Sequence, residues 1–275
     1  GHLSYDNGAV ISTVQWDKLA KAVGYEVEKN VWPKRNTSQF IATIARLEEA
    51  KEMNIKGMVI GKTGSGKTYT LDKFARVNPK NTIRITLSVL HNVRGLLDDL
   101  CDALNVERKT SKAACLKAIT AKVRNIDTSE HGLLIVFDEA ENATVPVIRT
   151  IKAVYDHIHA YCSIMLLGTP QLISNLDKMT KRDCIGIPQF VSRFKANSFY
   201  LEDIIKKDPD TGEDTTFEEF FTGVVNDEGL RAMLRGLCSD YRMLRDYLVP
   251  AIERAEAAGV ELTEDFFRRI TGIVH

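Results

Sequence analysis

A glycine-rich segment of eight residues constrains this chain more than any other feature. Residues 61–68 read Gly-Lys-Thr-Gly-Ser-Gly-Lys-Thr, a complete GxxxxGK[ST] motif between the apolar run 58–60 and a predicted helix ending near Arg76. Glycines let a backbone wrap around a phosphate so that its N–H groups point inward, and the following helix N-terminus adds to this attraction. Lys67 supplies a charge to the β and γ phosphates, and the Thr68 hydroxyl suits Mg²⁺. The sequence therefore predicts a nucleotide-binding loop made of Gly61, Lys62, Thr63, Gly64, Ser65, Gly66, Lys67, Thr68 and Tyr69.

Short apolar strands alternate with helices around this loop. The predicted strands are 58–60, 83–87, 133–137, 163–167 and 199–201. Short, continuously apolar strands that alternate with helices are typical of a parallel sheet covered on both faces. Beyond the turn-rich stretch 206–215 the chain is predicted to be helical, over 216–226, 228–238, 240–258 and 263–273. We expect an N-terminal helical segment and linker over 1–36, an α/β core over 37–202 and a C-terminal helical lid over 203–275.

Composition excludes several other classes of protein. Hydrophobic residues make up 44% and charged residues 27%, which is ordinary for a chain with a full core. The 37 basic and 37 acidic residues cancel, so a nucleic-acid site would need a local patch. Five widely spaced cysteines without a CxxC pair predict reduced thiols and no disulfide or zinc framework. Because no apolar run approaches the roughly 18 residues of a membrane span, we expect a soluble, cytoplasmic protein without a membrane partner.

Polar residues follow two of the predicted strands and complete the predicted catalytic site. The wholly apolar run 133–137 ends in Asp138-Glu139. Asp138 suits Mg²⁺, and Glu139 suits the activation of the attacking water. The next strand ends in Gly168-Thr169, where Thr169 could contact the γ phosphate or orient that water. Thr169 before Pro170 is an equally good helix N-cap, and both roles can hold.

With these motifs in place, the core and lid resemble AAA+ ATPases. The resemblance is strongest to the transposition regulators, the branch of the Mu phage B protein, the TnsC proteins and the IstB proteins. It is more distant to replication initiators and helicase loaders. The matching segments span about residues 37 to 260 and are GKTGSGKT, IVFDEAEN, LLGT, the SRF segment 192–194 and the YRML segment 241–244.

The resemblance implies a fold, a reaction and three further site residues. The implied fold is an α/β P-loop NTPase of the AAA+ type, with a parallel sheet, flanking helices and a C-terminal helical lid. The implied reaction is ATP hydrolysis with Mg²⁺. Thr169 becomes sensor 1, Arg193 an arginine finger that reaches a neighbouring subunit's nucleotide, and Arg242 sensor 2. Because Ser239-Asp240-Tyr241 replaces the glycine pair that often precedes sensor 2, Arg245 remains the alternative to Arg242.

Three further segments bear on DNA. Residues 7–25 look like the final helix of a repressor-like helix-turn-helix domain, and a simple packing helix is the alternative. Between residues 104 and 125, six basic residues stand against Glu107 alone, and a second basic segment covers 178–195. A solvated helix face is the ordinary explanation of such a run. The lack of interleaved aromatic residues favours contacts to the duplex backbone over stacking on single strands. The predicted DNA-binding residues are Arg108, Lys109, Lys112 and Lys117.

Together these features predict an ATPase that binds duplex DNA without sequence preference. We expect self-association into a ring or a helical filament, depending on whether a head-to-tail interface closes. In the predicted function the assembly selects target DNA and recruits or activates a transposase. The alternatives are a helicase loader or replication initiator, and a STAND-like switch that uses its nucleotide without turnover.

Overall fold

The structure is a computed structural model that describes residue 32, residues 35–126 and residues 132–273. The predicted N-terminal helix and its helix-turn-helix interpretation lie outside the described residues. None of the helices in these ranges is long and apolar enough to cross a membrane.

One parallel sheet of five strands organises the core, as the sequence predicts. The strands are β1 (Lys56–Ile60), β2 (Thr82–Thr86), β3 (Leu133–Asp138), β4 (Cys162–Gly168) and β5 (Ser198–Tyr200). Their order across the sheet is β2-β3-β4-β1-β5. In the register, Ile60 pairs with Gly168 and Phe137 pairs with Leu166. The carboxyl ends of β1, β3 and β4 therefore meet at one edge, where the glycine loop begins.

Helices cover both faces of this sheet. The helices of the core are α1 (Ser38–Met53), α2 (Lys67–Val77), α3 (Val93–Ala103), α4 (Lys112–Arg124), α5 (Val145–Ile158), α6 (Pro170–Lys181) and α7 (Ile187–Lys195). Alternate side chains of β3 divide between two buried clusters. Leu134 and Val136 pack with α1 and α2, whereas Ile135 and Phe137 pack on the opposite face with residues of the other core helices. This division explains why the strand is apolar from Leu133 to Phe137.

The C-terminal part has a core of its own. It consists of α8 (Glu218–Phe221), α9 (Glu228–Leu237), α10 (Tyr241–Ala258) and α11 (Glu264–Thr271). Phe221, Leu244 and Phe267 are fully buried in its cluster, against which Trp32 also packs. The prediction of a helix over 216–226 was wrong in length, because α8 covers only Glu218–Phe221. Phe217 adopts a left-handed conformation (φ 66°) immediately before α8, and Gly223 does so (φ 76°) just after it. Both interrupt a helix.

Candidate nucleotide site

The glycine loop opens into a cavity of about 780 Å³ between the sheet edge and the lid. Its walls combine residues from distant parts of the chain. They include Thr63–Thr70 of the loop and α2, Asp138, Glu139, Glu141 and Asn142 after β3, Gly168 and Thr169 after β4, and Tyr241, Arg242 and Arg245 of the lid. The fold thus brings together the predicted catalytic residues Lys67, Glu139 and Thr169.

The glycine loop has the backbone geometry of a phosphate cradle. Gly64 and Gly66 lie in the left-handed region, with φ of 73° and 83°. Apart from its two chain neighbours, a Cβ on Gly66 would meet no atom of the described residues within 4 Å, so none of them crowds the backbone there. Lys67 begins α2, and its Nζ donates to the carbonyl oxygens of Gly61 (2.7 Å) and Lys62 (2.9 Å) and to Ser65 Oγ (3.3 Å).

Burial lowers the pKa of Lys67, and neighbouring charges modify this shift. The Glu141 carboxylate opposes the lowering most strongly, followed by Asp138, while Arg242 adds to it. The ammonium therefore sits where the lid cation and the acidic residues of the sheet edge all act on it. Such a convergence of charges in a cleft is typical of functional sites.

Lys62 belongs to the same loop but extends elsewhere. Its Nζ pairs with Asp203 at 2.5 Å and holds the pKa of that carboxyl below its ordinary value. Lys62 and Gly61 do not line the cavity in the described part of the chain. Within the predicted nucleotide loop, their carbonyl oxygens accept hydrogen bonds from Lys67 Nζ.

Asp138 is fixed by an arginine that the sequence-based prediction missed. Only 1% of Asp138 is exposed. Its Oδ2 accepts from Arg84 of β2 at 3.2 Å, and its Oδ1 accepts from the Glu139 N–H at 3.0 Å. Arg84 also pairs with Asp72 of α2, so one guanidinium joins the helix of the glycine loop to the end of β3. A basic residue between Ile83 and Ile85 of this alternating strand is the signal that could have revealed it.

The acidic residues after β3 are separated by a tight turn. Glu139 adopts a left-handed conformation with φ 53°, and Ala140–Asn142 form a single 3₁₀ turn. The Glu139 side chain is exposed, and its Oε2 accepts from Asn142 Nδ2 at 3.3 Å. Glu141 turns toward β4, and its Oε2 accepts from the Thr169 N–H at 3.3 Å. Glu141 is a second residue that the prediction missed, although a third acid so soon after Asp138 could have suggested it.

Thr169 occupies the N-cap position of α6, with Pro170 as the first helical residue. Its side chain makes no capping hydrogen bond, although the residue lines the cavity. Thr169 therefore holds the N-cap position through its backbone only, and its hydroxyl remains available to a ligand.

The lid closes the cavity through the start of α10. Arg242 and Arg245 both line it, and the charge of Arg242 lowers the pKa of Lys67. Asp240 caps α10 by accepting from the N–H groups of Arg242 and Met243, each at 2.9 Å. This carboxylate also rests on the glycine loop, since a Cβ on Gly64 would come within 2.3 Å of Asp240 Cγ.

The far end of the cavity is aromatic. Trp32 stacks on Phe220 with ring centroids 4.7 Å apart, and Phe40 lies 6.4 Å from the Tyr69 ring. The Tyr241 hydroxyl donates to Gln39 Oε1 at 2.9 Å, and burial raises the pKa of Tyr241. An apolar, aromatic end beside a polar phosphate loop is what a nucleotide needs, because its base is flat and its phosphates are charged.

The remaining predicted site residues lie outside the cavity. Arg193 is on α7, where it pairs with Asp156 and lies over the Tyr155 ring, 5.6 Å from its centroid. Of the predicted DNA-binding residues, Arg108 pairs with Asp102 and Lys109 pairs with Glu107. Lys112 and Lys117 on α4 are exposed, and neither forms an ion pair with any other residue that the structure describes.

The sequence matches several curated proteins and, over a part of the chain that contains the glycine loop, a known family model. Residues 56–176 match the family model AAA_22, described as an AAA domain. Among curated proteins, the chain is similar to the Ras-related protein Rab-25 of Bos taurus, with 28% identity over 130 residues, 47% of this chain and 60% of that protein. Rab-25 of Oryctolagus cuniculus is 30% identical over 128 residues, 46% of this chain and 59% of that protein. The chain thus spans about 60% of the length of the curated relatives it matches.

Solved structures share the fold at low sequence identity. The ORC2 protein of Aeropyrum pernix, in ADPNP-ADP complexes, is 17% identical, with a TM-score of 0.56 over 89% of this chain and 71% of that chain. Cdc6p of Pyrobaculum aerophilum is 15% identical, with a TM-score of 0.62 over 86% and 68%. The RuvB Holliday junction branch migration motor of Thermotoga maritima is 15% identical, with a TM-score of 0.52 over 89% and 73%. The fold is that of an AAA+ P-loop NTPase, which confirms the predicted fold class.

Proposed function

We propose that this chain is an ATPase that assembles on duplex DNA and acts in DNA transposition, where it selects target DNA and recruits or activates a transposase. One observation carries the ATPase part of this proposal. A single cavity collects the glycine loop, the acidic end of β3, Thr169 of the neighbouring strand and an arginine of the lid. These are the parts that phosphoryl transfer requires for positioning and charge stabilisation.

Each part has a defined task in hydrolysis. Lys67 neutralises the β and γ phosphates, and Glu139 accepts a proton from the attacking water. Thr169 and Arg242 contact the phosphate from the sheet and from the lid. Thr68 and the buried Asp138 carboxylate provide the oxygen ligands that Mg²⁺ prefers, directly or through water. Mg²⁺ held there would offset the negative charge of the phosphates.

The exposed position of Arg193 supports the proposed assembly. Its side chain is 42% exposed and lies outside the cavity of its own subunit, and it would have to leave Asp156 to reach a neighbour's nucleotide. A contact in which one face of a subunit meets a different face of the next is heterologous. It produces a ring if the rotation closes and a helical filament if it does not.

Unpaired lysines on α4 support the proposed contact with DNA. Lys112 and Lys117 carry exposed charges that no described acid neutralises. Arg108 and Lys109 must first leave Asp102 and Glu107 before they can bind phosphates. We therefore assign the main backbone contacts to Lys112 and Lys117, with Arg108 and Lys109 as secondary contacts. Contacts of this kind bind without reading sequence.

The role in transposition rests on the resemblance to transposition regulators. The likeness in fold to the ORC2 and Cdc6p proteins favours a second candidate function, a replication initiator or helicase loader. Both use the same ATPase site. Neighbouring genes separate them, since a transposase gene beside this one supports transposition and a replicative helicase gene supports loading.

The ATPase itself is tested by two substitutions in the full chain. Lys67→Ala should abolish ATP binding, because the phosphates lose their charge partner. Glu139→Gln should keep ATP binding and nearly stop hydrolysis, since the attacking water loses its base. Binding is measured by calorimetry and hydrolysis by phosphate release, with and without duplex DNA. Lys80→Ala, which removes an exposed lysine between α2 and β2, is the matched control.

Three results would contradict the proposal. ATP binding by the Lys67→Ala variant would show that Lys67 of the glycine loop is not needed to hold the nucleotide. Wild-type turnover by the Glu139→Gln variant would remove Glu139 from the reaction. Nucleotide binding by the wild type without any turnover would instead support a nucleotide switch of the STAND-like type.

A further inference from the structure

Glu141 lies at the part of the cavity that the glycine loop lines, although no motif predicted a role for it. It lines the cavity together with Lys67 and Thr169. Its Oε2 accepts the Thr169 N–H at 3.3 Å, and its main-chain oxygen accepts from Asn175 Nδ2 at 3.0 Å. A Cβ on Gly168 would lie 3.0 Å from the same Oε2. The carboxylate therefore lies over the end of β4, and the main chain of Glu141 is bonded to α6.

The charge of Glu141 also acts on Lys67 of the glycine loop. Among the carboxylates that oppose the lowering of the Lys67 pKa, Glu141 acts most strongly and Glu139 least. Glu139 instead makes its side-chain hydrogen bond with Asn142. The carboxylate that bonds to Thr169 at the end of β4 is thus that of Glu141, two residues beyond the predicted base.

We propose that Glu141 is a specificity-determining residue that sets the ratio of ATP to ADP affinity through like-charge repulsion of the γ phosphate. The inference rests on the proposed function, because it requires the cavity to hold ATP. The glycine motif places the β and γ phosphates at Lys67. A γ phosphate between Lys67 and Thr169 lies beside the Glu141 carboxylate, whereas ADP lacks that group. The repulsion therefore weakens ATP binding more than ADP binding.

The size of the effect is set by screened charge interaction. Two like charges several ångströms apart repel appreciably at an effective dielectric constant of about 20, and Lys67 offsets part of this. We expect the removal of the Glu141 charge to improve binding of an ATP analogue relative to ADP by about tenfold, which corresponds to about 1.4 kcal/mol.

The test measures the dissociation constants of ADP and of the β,γ-imido analogue of ATP, with Mg²⁺, by calorimetry on the full chain. Glu141→Gln removes the charge but keeps an oxygen that can accept the Thr169 N–H. Its ratio of ADP to analogue dissociation constants should rise about tenfold. Glu139→Gln removes a charge from the same turn and should change the ratio much less. Glu141→Asp retains the charge on a shorter side chain and should keep the ratio close to that of the wild type.

The outcomes distinguish this inference from the proposed function. An unchanged ratio in Glu141→Gln, with both ligands bound, would overturn the inference and leave the ATPase proposal intact. An equal change in Glu141→Gln and Glu141→Asp would also overturn it, because the effect would then come from packing and not from charge. A wild-type chain that binds neither nucleotide would overturn both.

Discussion

The contact between Asp240 and Gly64 joins the lid to the nucleotide loop, and it can be tested by adding one methyl group. Gly64→Ala introduces a Cβ at a position with φ 73° and only 2.3 Å from Asp240 Cγ. Gly66→Ala is its matched control, because Gly66 has φ 83° and the added Cβ would lie more than 4 Å from every residue that the structure describes except its two chain neighbours. Both variants should lose about 1 to 2 kcal/mol for an alanine in the left-handed region. Only Gly64→Ala must also displace Asp240.

The additional loss can be worked out from the cap that Asp240 provides. Its carboxylate accepts from the N–H groups of Arg242 and Met243 at 2.9 Å. Loss of such an N-cap costs about 1 kcal/mol. Gly64→Ala should therefore be less stable than Gly66→Ala by about 1 kcal/mol. Asp240→Ala alone should cost a similar amount, and it should cost little more when added to Gly64→Ala, because the cap is already lost.

Urea unfolding without nucleotide gives these free energies, and hydrogen exchange over residues 239–249 reports on the start of α10. We expect faster exchange there in Gly64→Ala and not in Gly66→Ala. Equal stabilities of the two glycine variants would refute the contact. Strict additivity of Gly64→Ala and Asp240→Ala would refute the shared mechanism.

Three further predictions concern other parts of the molecule. Arg193→Ala should fold and bind ATP normally, but it should lose both its oligomers, measured by sedimentation, and its ATPase activity, measured by phosphate release. Normal assembly of this variant would contradict the role of Arg193 as an arginine finger. The double variant Lys112→Ala, Lys117→Ala should lower the slope of log K against log salt for duplex DNA by about 0.9 per lost contact. It should weaken the affinity for all DNA sequences alike. An unchanged slope in an anisotropy titration would show that α4 is an ordinary solvated face. Burial raises the pKa of Cys162 and of Cys238 to about 12 from 9.0, so a disulfide reagent at pH 8 should modify the part-exposed Cys184 first. Early modification of Cys162 would refute this order. Because the raised pKa values keep both thiols protonated in the folded state, the free energy of unfolding, measured in urea, should fall as pH rises above about 9.

The sheet and its order of elements could be predicted because each signal is local. Residues 133–137 are apolar at every position, which only a strand covered on two faces requires, and the glycine motif fixes the loop and the helix that come after β1. Length errors arose where backbone conformation departs from the hydrophobic pattern. The apolar spacing of 216–226 suggests one helix, but the left-handed Phe217 and Gly223 leave a single turn between them.

The site was harder to predict because the contacts that complete it join distant residues. Arg84 reaches Asp138 across 54 positions in the sequence, and Gln39 reaches Tyr241 across 202. No periodicity records such pairs. The predicted roles of Lys67, Thr68 and Asp138 come from motifs, and they remain predictions for the assays above.

The order of acids after β3 shows why a motif does not fix geometry. In an extended strand, side chains alternate between faces, so a chain that continued straight from Asp138 would place Glu139 and Glu141 on the same face. The left-handed Glu139 (φ 53°) and the 3₁₀ turn Ala140–Asn142 separate them instead. Left-handed backbone is unfavourable for a glutamate, and such residues cluster at functional sites, where the surrounding structure holds them. Here Ala140 is buried, and Asn142 Nδ2 bonds both to Leu87 O (3.1 Å) and to Glu139 Oε2 (3.3 Å). The turn thus leaves Glu139 exposed at the cavity and directs Glu141 over β4, so one short sequence supplies two carboxylates with different surroundings.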